Sequence, residues 1–348
     1  MNALPTQQQL ATQIVLPGIV EPSGLQCRQT SLAAPGPGQV LLQMEASGVS
    51  FAEKSMRRNR YPGQPKFPFV PGYDAVGTIL AVGPGQDAGL IGKRVAAALK
   101  TGGWASHILV PADEIVDVPA SVDPVEAETV IVNGITAWQM LYGKARARRG
   151  QTILVLGASG GVGTILAQIA IHGGIRVIGT ASPRHHPALR ALGVEPLDYN
   201  VPDLAAQVRE LSPRGVDAVF DHLGPDSVRT SFDLLDQGGT LVAYGTAADL
   251  DTDAALVPMF AGLLTRLGLW NLLPNGKKAS FYDFWGGMLV NPTAAKRQRR
   301  ADLAKVFDLL AIGAIKPIVA ARFPLNQASA ALELAETRTV FGKVVIVP

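Results

Sequence analysis

Residues 151–163 read QTILVLGASGGVG, and the order of residue types in that stretch decides how the chain folds. Branched aliphatics Ile153 to Leu156 make a short buried strand, Gly157 to Gly163 makes a glycine-rich turn, and Ile165 to Ile171 continues as a helix. Strand, glycines and helix in that order are what a dinucleotide pyrophosphate requires. The glycines turn the chain tightly and bring backbone close to the phosphates, and the helix N-terminus faces their charge. Gly157, Ser159, Gly160, Gly161, Val162 and Gly163 are therefore the candidate phosphate cradle. A plain glycine turn in a parallel core is the competing reading. The flanks weigh against it: Gly173-Gly174 ends the helix, and Ile175 to Gly179 supplies the next buried strand of a β-α-β unit.

Downstream of the turn, strands are expected at Val194–Leu197, Val216–Asp221 and Gly239–Gly245, with helical connections around 187–192, 204–211 and 226–235. They complete an open, doubly wound parallel sheet. Upstream, Gln13–Leu16, Leu25–Gln29, Gln39–Ala46, Tyr73–Val82, Arg94–Leu99 and Ala105–Val110 are short strands separated by Gly and Pro turns, the pattern of a compact β-rich domain. Val125 to Gly143 reads as mainly helical, with Asn133-Gly134 as a break or an active-site turn. Residues 249–296 look like an insertion that could form a substrate wall, a subunit contact or ordinary core. Phe341–Val347 is a final strand returning to the first domain.

Composition narrows the classes. The chain has 348 residues, 47% of them apolar, enough for two domains with substantial cores. One cysteine, Cys27, allows neither an internal disulfide nor a cysteine-rich metal site. The net charge is +3 and the basic clusters are dispersed without interleaved aromatics, so no nucleic-acid function is expected. The apolar run at 256–270 is interrupted by Arg266 and too short to span a bilayer, and MNALPTQQQL does not resemble a secretory leader. A cytoplasmic protein without a membrane partner is expected.

An NAD site commonly places a carboxylate at the end of the second strand, to hold the ribose hydroxyls. The corresponding residues here are Thr180-Ala181-Ser182-Pro183-Arg184-His185-His186, with no carboxylate. Ser182 can donate to a ribose phosphate and Arg184 can offer it a charged fork, which favours NADPH over NADH; a solvated helix-start arginine is the bland alternative. Tyr199 is placed to stack near an adenine or to pack the sheet edge. His222 and Gly245 follow later strands and are candidates for the cofactor wall, with structural turns nearly as good a reading. His222 has no partner at ligand spacing, so no metal is expected.

These segments together resemble the medium-chain dehydrogenase/reductase superfamily, and more closely its zinc-independent quinone oxidoreductase-like branch. The resemblance rests on 48–53 (GVSFAE), Tyr61-Pro62, 69–77 (FVPGYDAVG), Gly83 to Gly85, 92–95 (GKRV), 102–111, 134–137 (GITA), the glycine loop and 341–346 (FGKVVI). It implies an α/β fold: a GroES-like β-rich catalytic domain from 1–130 plus 310–348, and a Rossmann NADPH-binding domain over 131–309 carrying the 249–296 insertion. It also implies a homodimer and a small electrophilic substrate. Zinc alcohol dehydrogenases carry a catalytic Cys and a Gly-His-Glu motif; this chain has Ser50 and Gly72-Tyr73-Asp74 there. Without those ligands, hydride transfer from NADPH to a quinone is the expected chemistry, with reduction of the carbon-carbon double bond of an α,β-unsaturated ketone or aldehyde as the alternative. Relatives in the branch commonly carry Asn and Asp where this chain has Ser50 and Glu53, which keeps a non-catalytic NADPH sensor as a further alternative. Ser50, Tyr61 and Tyr73 are the candidate catalytic hydrogen-bond donors, and family placement puts Asn133 and Thr136 beside the cofactor.

Overall fold

The computed structural model describes residues 9–246, 256–337 and 339–348. The chain divides into two compact units, one built from residues 1–132, 296–312 and 317–348, the other from 133–295 and 313–316.

The first unit is β-rich. Its elements in chain order are β1 (Gln9–Val15), β2 (Gln26–Leu32), β3 (Gln39–Val49), α1 (Phe51–Arg57), β4 (Asp74–Val82), β5 (Arg94–Ala98), β6 (His107–Pro111), β7 (Ile115–Asp117) and α2 (Pro124–Thr129). β1 and β2 form an antiparallel ladder of their own. The main sheet runs β14-β15-β3-β4-β5-β7, with β6 on β3; β14 (Val319–Pro324) and β15 (Lys343–Val347) come from the end of the chain. β15 lies antiparallel to β3, with Val345 opposite Gly48, so the expected return of the final strand is observed. Alternation places Val40, Leu42 and Met44 on the core face of β3, against Ile79, Val95, Trp104 and Ile346. Burial of each of these side chains contributes about 1.5–3 kcal/mol.

The second unit follows as α3 (Ile131–Trp138), β8 (Thr152–Val155), α4 (Gly161–His172), β9 (Arg176–Ala181), α5 (His186–Ala191), β10 (Glu195–Asp198), α6 (Leu204–Leu211), β11 (Val216–Asp221), α7 (Ser227–Asp233), β12 (Leu235–Ala243), α8 (Leu256–Trp270) and β13 (Lys278–Phe281). All its strands are parallel in the order β10-β9-β8-β11-β12-β13. Numbered within the unit this is 3-2-1-4-5-6, the dinucleotide-binding order, whose direction of winding reverses between β8 and β11. The core face packs Leu154, Ile178, Val219 and Leu241 with Val228 and Phe232 of α7 and Leu263 and Leu267 of α8.

Three local readings change. Asn133-Gly134 is not a break: α3 runs through it into a wider π-type turn over Gln139–Lys144, and the interruption lies earlier, at Val130 between α2 and α3. The 249–296 stretch is largely regular. Its portion 249–255 lies outside the described residues, but the rest supplies α8 and the sixth strand β13. Helix α9 (Pro292–Ala311) groups from Lys296 onward with the first unit. Lys296 bonds Asp113 at 2.9–3.0 Å, and Arg300 Nε donates to the Ile115 carbonyl at 2.9 Å. α10 (Ala328–Glu336) then packs on β14 and β15. Among the described residues no helix is long and apolar enough to cross a membrane.

A buried ionic set holds the end of β3. Lys343 Nζ lies 2.8 Å from Asp74 Oδ2 and 2.6 Å from Glu128 Oε1, all three side chains being 4% exposed or less. Asp74 Oδ1 in turn accepts from Gly48 N at 3.1 Å, and Trp104 Nε1 donates to the Gly48 carbonyl at 2.9 Å. Burial and the Asp74 charge push the Glu128 carboxyl well above the usual range, opposed by Lys343. Glu128→Gln keeps an oxygen that accepts from Lys343 Nζ while Asp74 still pairs the lysine charge, and it costs about 1 kcal/mol or less. Lys343→Met strands buried carboxyl groups and costs about 3–5 kcal/mol. Urea unfolding of the two variants beside the natural protein checks this ranking.

Candidate functional site

In the second unit, the carboxyl ends of the parallel strands line up along one edge of the sheet. Residues following them there are Leu156-Gly157 after β8, Ser182 after β9, Tyr199 after β10, His222 after β11 and Tyr244 to Thr246 after β12. This is where open α/β sheets bind ligands.

The glycine turn is fixed by hydrogen bonds from its backbone to both neighbouring strands. Gly157 N donates to Thr180 Oγ1 at 3.0 Å, Ala158 N to the Thr180 carbonyl at 2.9 Å, and Leu156 N to the Phe220 carbonyl at 3.0 Å. Gly157 sits at φ +69°, the left-handed region that favours glycine, and a Cβ there would run into the His222 ring. A Cβ on Gly163 would meet the Gly157 carbonyl oxygen and lie 2.8 Å from Ala158 Cα. Gly160 is the N-cap of the twelve-residue α4 and brings no side chain to its first turn. An oxyanion is the natural partner for those N–H groups. Ser159 and Val162 are half-buried in the same turn.

His222 is aimed by Asp221. The fully buried Asp221 accepts from Leu223 N at 2.9 Å, Ser227 Oγ at 2.8 Å and Ser231 Oγ at 2.7 Å, which fixes the turn after β11. His222 then lies between the glycine turn and Gly245, where a Cβ would approach the His222 carbonyl oxygen to 2.9 Å. Its ring is 5.9 Å from that of Tyr244, whose hydroxyl is pushed above the usual phenol range by burial and by the Asp221 charge. Asn133, buried in α3, closes the other side: a Cβ on Gly161 would come within 2.7 Å of Asn133 Nδ2. Thr136 is buried one turn further along. The structure thus brings Asn133, Gly157, Gly161, His222 and Gly245 together around one turn.

At the outer end of the edge, Ser182 is the N-cap of a short 3-10 turn but makes no side-chain cap bond. Arg184 is exposed beside it, its Nε 3.3 Å from His185 Nε2. Asp198 pairs in register with Ala181, so Ser182 and Tyr199 leave neighbouring strands, and Tyr199 is 55% exposed. A backbone cradle that a Cβ would fill, with an uncommitted hydroxyl and a guanidinium on the neighbouring strand end, fits a dinucleotide bearing a ribose phosphate.

In the first unit, Tyr61 and Tyr73 share a hydroxyl–hydroxyl hydrogen bond, with ring centroids 5.7 Å apart in an edge-to-face arrangement. Tyr73 is 4% exposed and Tyr61 half-buried, so Tyr61 is the member of the pair nearer solvent. Ser50 is the N-cap of α1, and Glu53 completes a capping box by accepting from Ser50 N at 2.8 Å. Glu53 is 1% exposed. Burial raises its carboxyl to about 7, with the Asp74 charge adding and the Ser50 hydrogen bonds opposing. Sequence reasoning gave no site role to Glu53 or to the Lys343 set. The Ser-x-x-Glu spacing was the available signal for Glu53.

A family model described as zinc-binding dehydrogenase matches residues 192–346, and one described as alcohol dehydrogenase GroES-like domain matches 36–120. The quinone oxidoreductase of Pseudomonas aeruginosa is 33% identical over 94% of this chain and 96% of its own length. The chain belongs to the medium-chain dehydrogenase/reductase superfamily, in its zinc-independent, quinone oxidoreductase-like branch. Other relatives in this superfamily are the 2-haloacrylate reductase of a Burkholderia species, 30% identical over 94% of this chain and 96% of that protein, and the human synaptic vesicle membrane protein VAT-1 homolog, 30% identical over 93% and 82%. The Escherichia coli quinone oxidoreductase, solved with NADPH, is 25% identical with a TM-score of 0.84 over 97% of this chain and all of that one. The β-rich unit is accordingly the GroES-like domain of the superfamily, and the doubly wound unit its Rossmann domain. Where zinc-dependent members of the superfamily place a Cys and a His, this chain has Ser50 and Tyr73.

Gly163→Ala tests the glycine turn. The methyl group meets fixed backbone rather than a movable side chain, so we expect a loss of about 1–3 kcal/mol in stability and at least a tenfold weaker dinucleotide affinity. Thermal unfolding with a fluorescence titration of NADPH reads both effects.

Proposed function

We propose that this protein is an NADPH-dependent oxidoreductase that reduces quinones by hydride transfer without a metal. The observation that carries the reading is the phosphate cradle at Gly157–Gly163 with Ser182 and Arg184, and no carboxylate, at the end of β9. The likeness to an Escherichia coli quinone oxidoreductase solved with NADPH supports it. In this reading the Rossmann domain holds the cofactor. The first-turn N–H groups of α4 hold the pyrophosphate, Ser182 and Arg184 bind the ribose phosphate, and Tyr199 covers the adenine side. Asn133, Thr136, His222 and Gly245 shape the inner wall.

NADPH, when bound, supplies the hydride. The chain's own contribution is positioning and a proton. Ser50 and the Tyr61–Tyr73 pair are the hydroxyls assigned to the substrate oxygen, Tyr61 donating outward while Tyr73 fixes its orientation. We further assign the protein to the cytoplasm and as a homodimer; light scattering on the purified protein checks the dimer.

One specific relative favours a second reading. The 2-haloacrylate reductase is named for a conjugated carbon-carbon double bond, which accepts hydride by the same polarity logic as a quinone. Anaerobic turnover separates the two readings: a hydroquinone product upholds the first, while a saturated carbonyl product with quinones left untouched replaces it. Arg184→Ala is expected to weaken NADPH binding by about 10–100-fold, the loss of a charge-assisted pair, and to leave NADH binding unchanged. Equal losses for the two cofactors would remove Arg184 from the ribose phosphate site.

A further inference from the structure

The capping box at the start of α1 differs from an ordinary one in three respects. Its carboxyl group is 1% exposed, whereas such groups normally face water. Only one carboxyl oxygen is engaged: Oε2 takes both Ser50 N at 2.8 Å and Ser50 Oγ at 2.5 Å, while the buried Oε1 has no hydrogen-bond partner. Ser50 itself remains half-buried, and its Oγ also accepts from Ala52 N at 3.2 Å. The hydroxyl is thus the group through which the interior carboxyl meets the half-buried helix start.

We propose that Glu53 is the proton source for the reduction, acting through the Ser50 hydroxyl. This rests on the reading of the protein as a quinone reductase. With Glu53 protonated, its O–H donates to Ser50 Oγ, and the Ser50 hydrogen is free to donate to a quinone oxygen. As the quinone gains two electrons and a hydrogen as hydride from NADPH, the Ser50 hydrogen moves to the developing oxyanion. The Glu53 proton replaces it on Oγ. The products are hydroquinone, NADP+ and a Glu53 carboxylate that accepts the Ser50 O–H, and one proton from water restores the starting state. With Glu53 ionised, the Ser50 hydrogen is held inward and is not available to substrate.

The surroundings favour the protonated form. The charged group felt by Glu53 is Asp74 of β4, which raises its pKa. Lys343 of β15 and Glu128 of α2 are both tied to that same Asp74 cluster, so the lysine charge is already committed. On α10, which packs against α1, Glu336 is engaged by Arg57 at 2.6 Å. Lys54, next on α1, is buried. Burial and Asp74 together place the Glu53 titration at about 7, so proton supply is complete below that pH and is lost above it.

Single-turnover NADPH oxidation by a quinone, followed against pH, is the test, in the natural protein and in Glu53→Gln, Ser50→Ala and Ser50→Thr. We expect a rate that is level in acid and falls tenfold per pH unit above about 7. In Glu53→Gln and Ser50→Ala the break disappears and the acid rate drops about 100-fold, with little change in KM; Ser50→Thr restores both. An infrared titration of the cofactor-free protein should show a protonated carboxyl band that fades around pH 7 and is missing from Glu53→Gln. A capping role alone would shift the thermal midpoint and leave the break in place. An unchanged break in either variant, or a Glu53 band that is gone by pH 5, overturns the proposal while leaving quinone reduction standing. No quinone turnover by the natural protein at any pH overturns both.

Discussion

The second unit depends on one steric constraint: there is no room for a Cβ at Gly157 and Gly163. β8, the start of α4 and the turn after β11 meet at that point, and any side chain would have to displace either the His222 ring or fixed backbone. Close approach is what lets Gly157 N and Ala158 N bond to Thr180 of the neighbouring strand, so the loop is part of the sheet edge. The N-terminus of α4 is thereby aimed along the edge, toward the strand ends that carry Ser182 and His222. Cofactor geometry is a consequence of packing.

The first unit solves a different problem, the placement of polar side chains at the end of β3. Lys343 from the last strand, Asp74 from β4 and Glu128 from α2 converge behind Gly48, where a side chain would collide with Lys343 and Glu128. Such sets seldom add net stability over a well-packed apolar core. Their effect here is on position and charge. Asp74 holds the Gly48 N–H, and Gly48 lies two residues before Ser50, so the ionic set fixes the backbone from which Ser50 and α1 depart. The same Asp74 charge reaches Glu53. Register, helix start and carboxyl protonation are therefore coupled through one aspartate.

What the sequence revealed follows from how each feature is encoded. The glycine turn was legible because a backbone demand leaves its mark in residue type, and the missing carboxylate after β9 because the comparison needs only adjacent residues. The parallel sheet was legible from buried aliphatic runs. β7, β13 and β14 were not, since β7 has three residues and β13 and β14 are largely half-exposed with no clear alternation. The attachment of α9 to the first unit depends on contacts between Lys296 or Arg300 and residues more than 180 positions earlier. Lys343 and Asp74 are 269 residues apart, a pairing no local pattern signals. Asn133-Gly134 resembles a break by composition, but packing holds it helical, and close approach to Gly161 gives that asparagine its place.

Ser50 and Glu53 illustrate how one local motif can acquire a second property. A capping box needs a hydroxyl and a carboxyl three residues apart and satisfies helix-end N–H groups equally well in water. Moving it into the interior leaves the backbone bonds unchanged, yet it changes which charge state of the carboxyl is cheaper, because an ionised group loses its hydration while a neutral one does not. The shared hydrogen between Ser50 Oγ and Glu53 Oε2 then has two directions, and burial brings them into balance near neutral pH. Asp in place of Glu53 would be a methylene shorter and would pull the carboxyl away from Ser50 Oγ or draw the helix start inward. Glutamate is thus matched to a serine, whose oxygen lies close to the backbone.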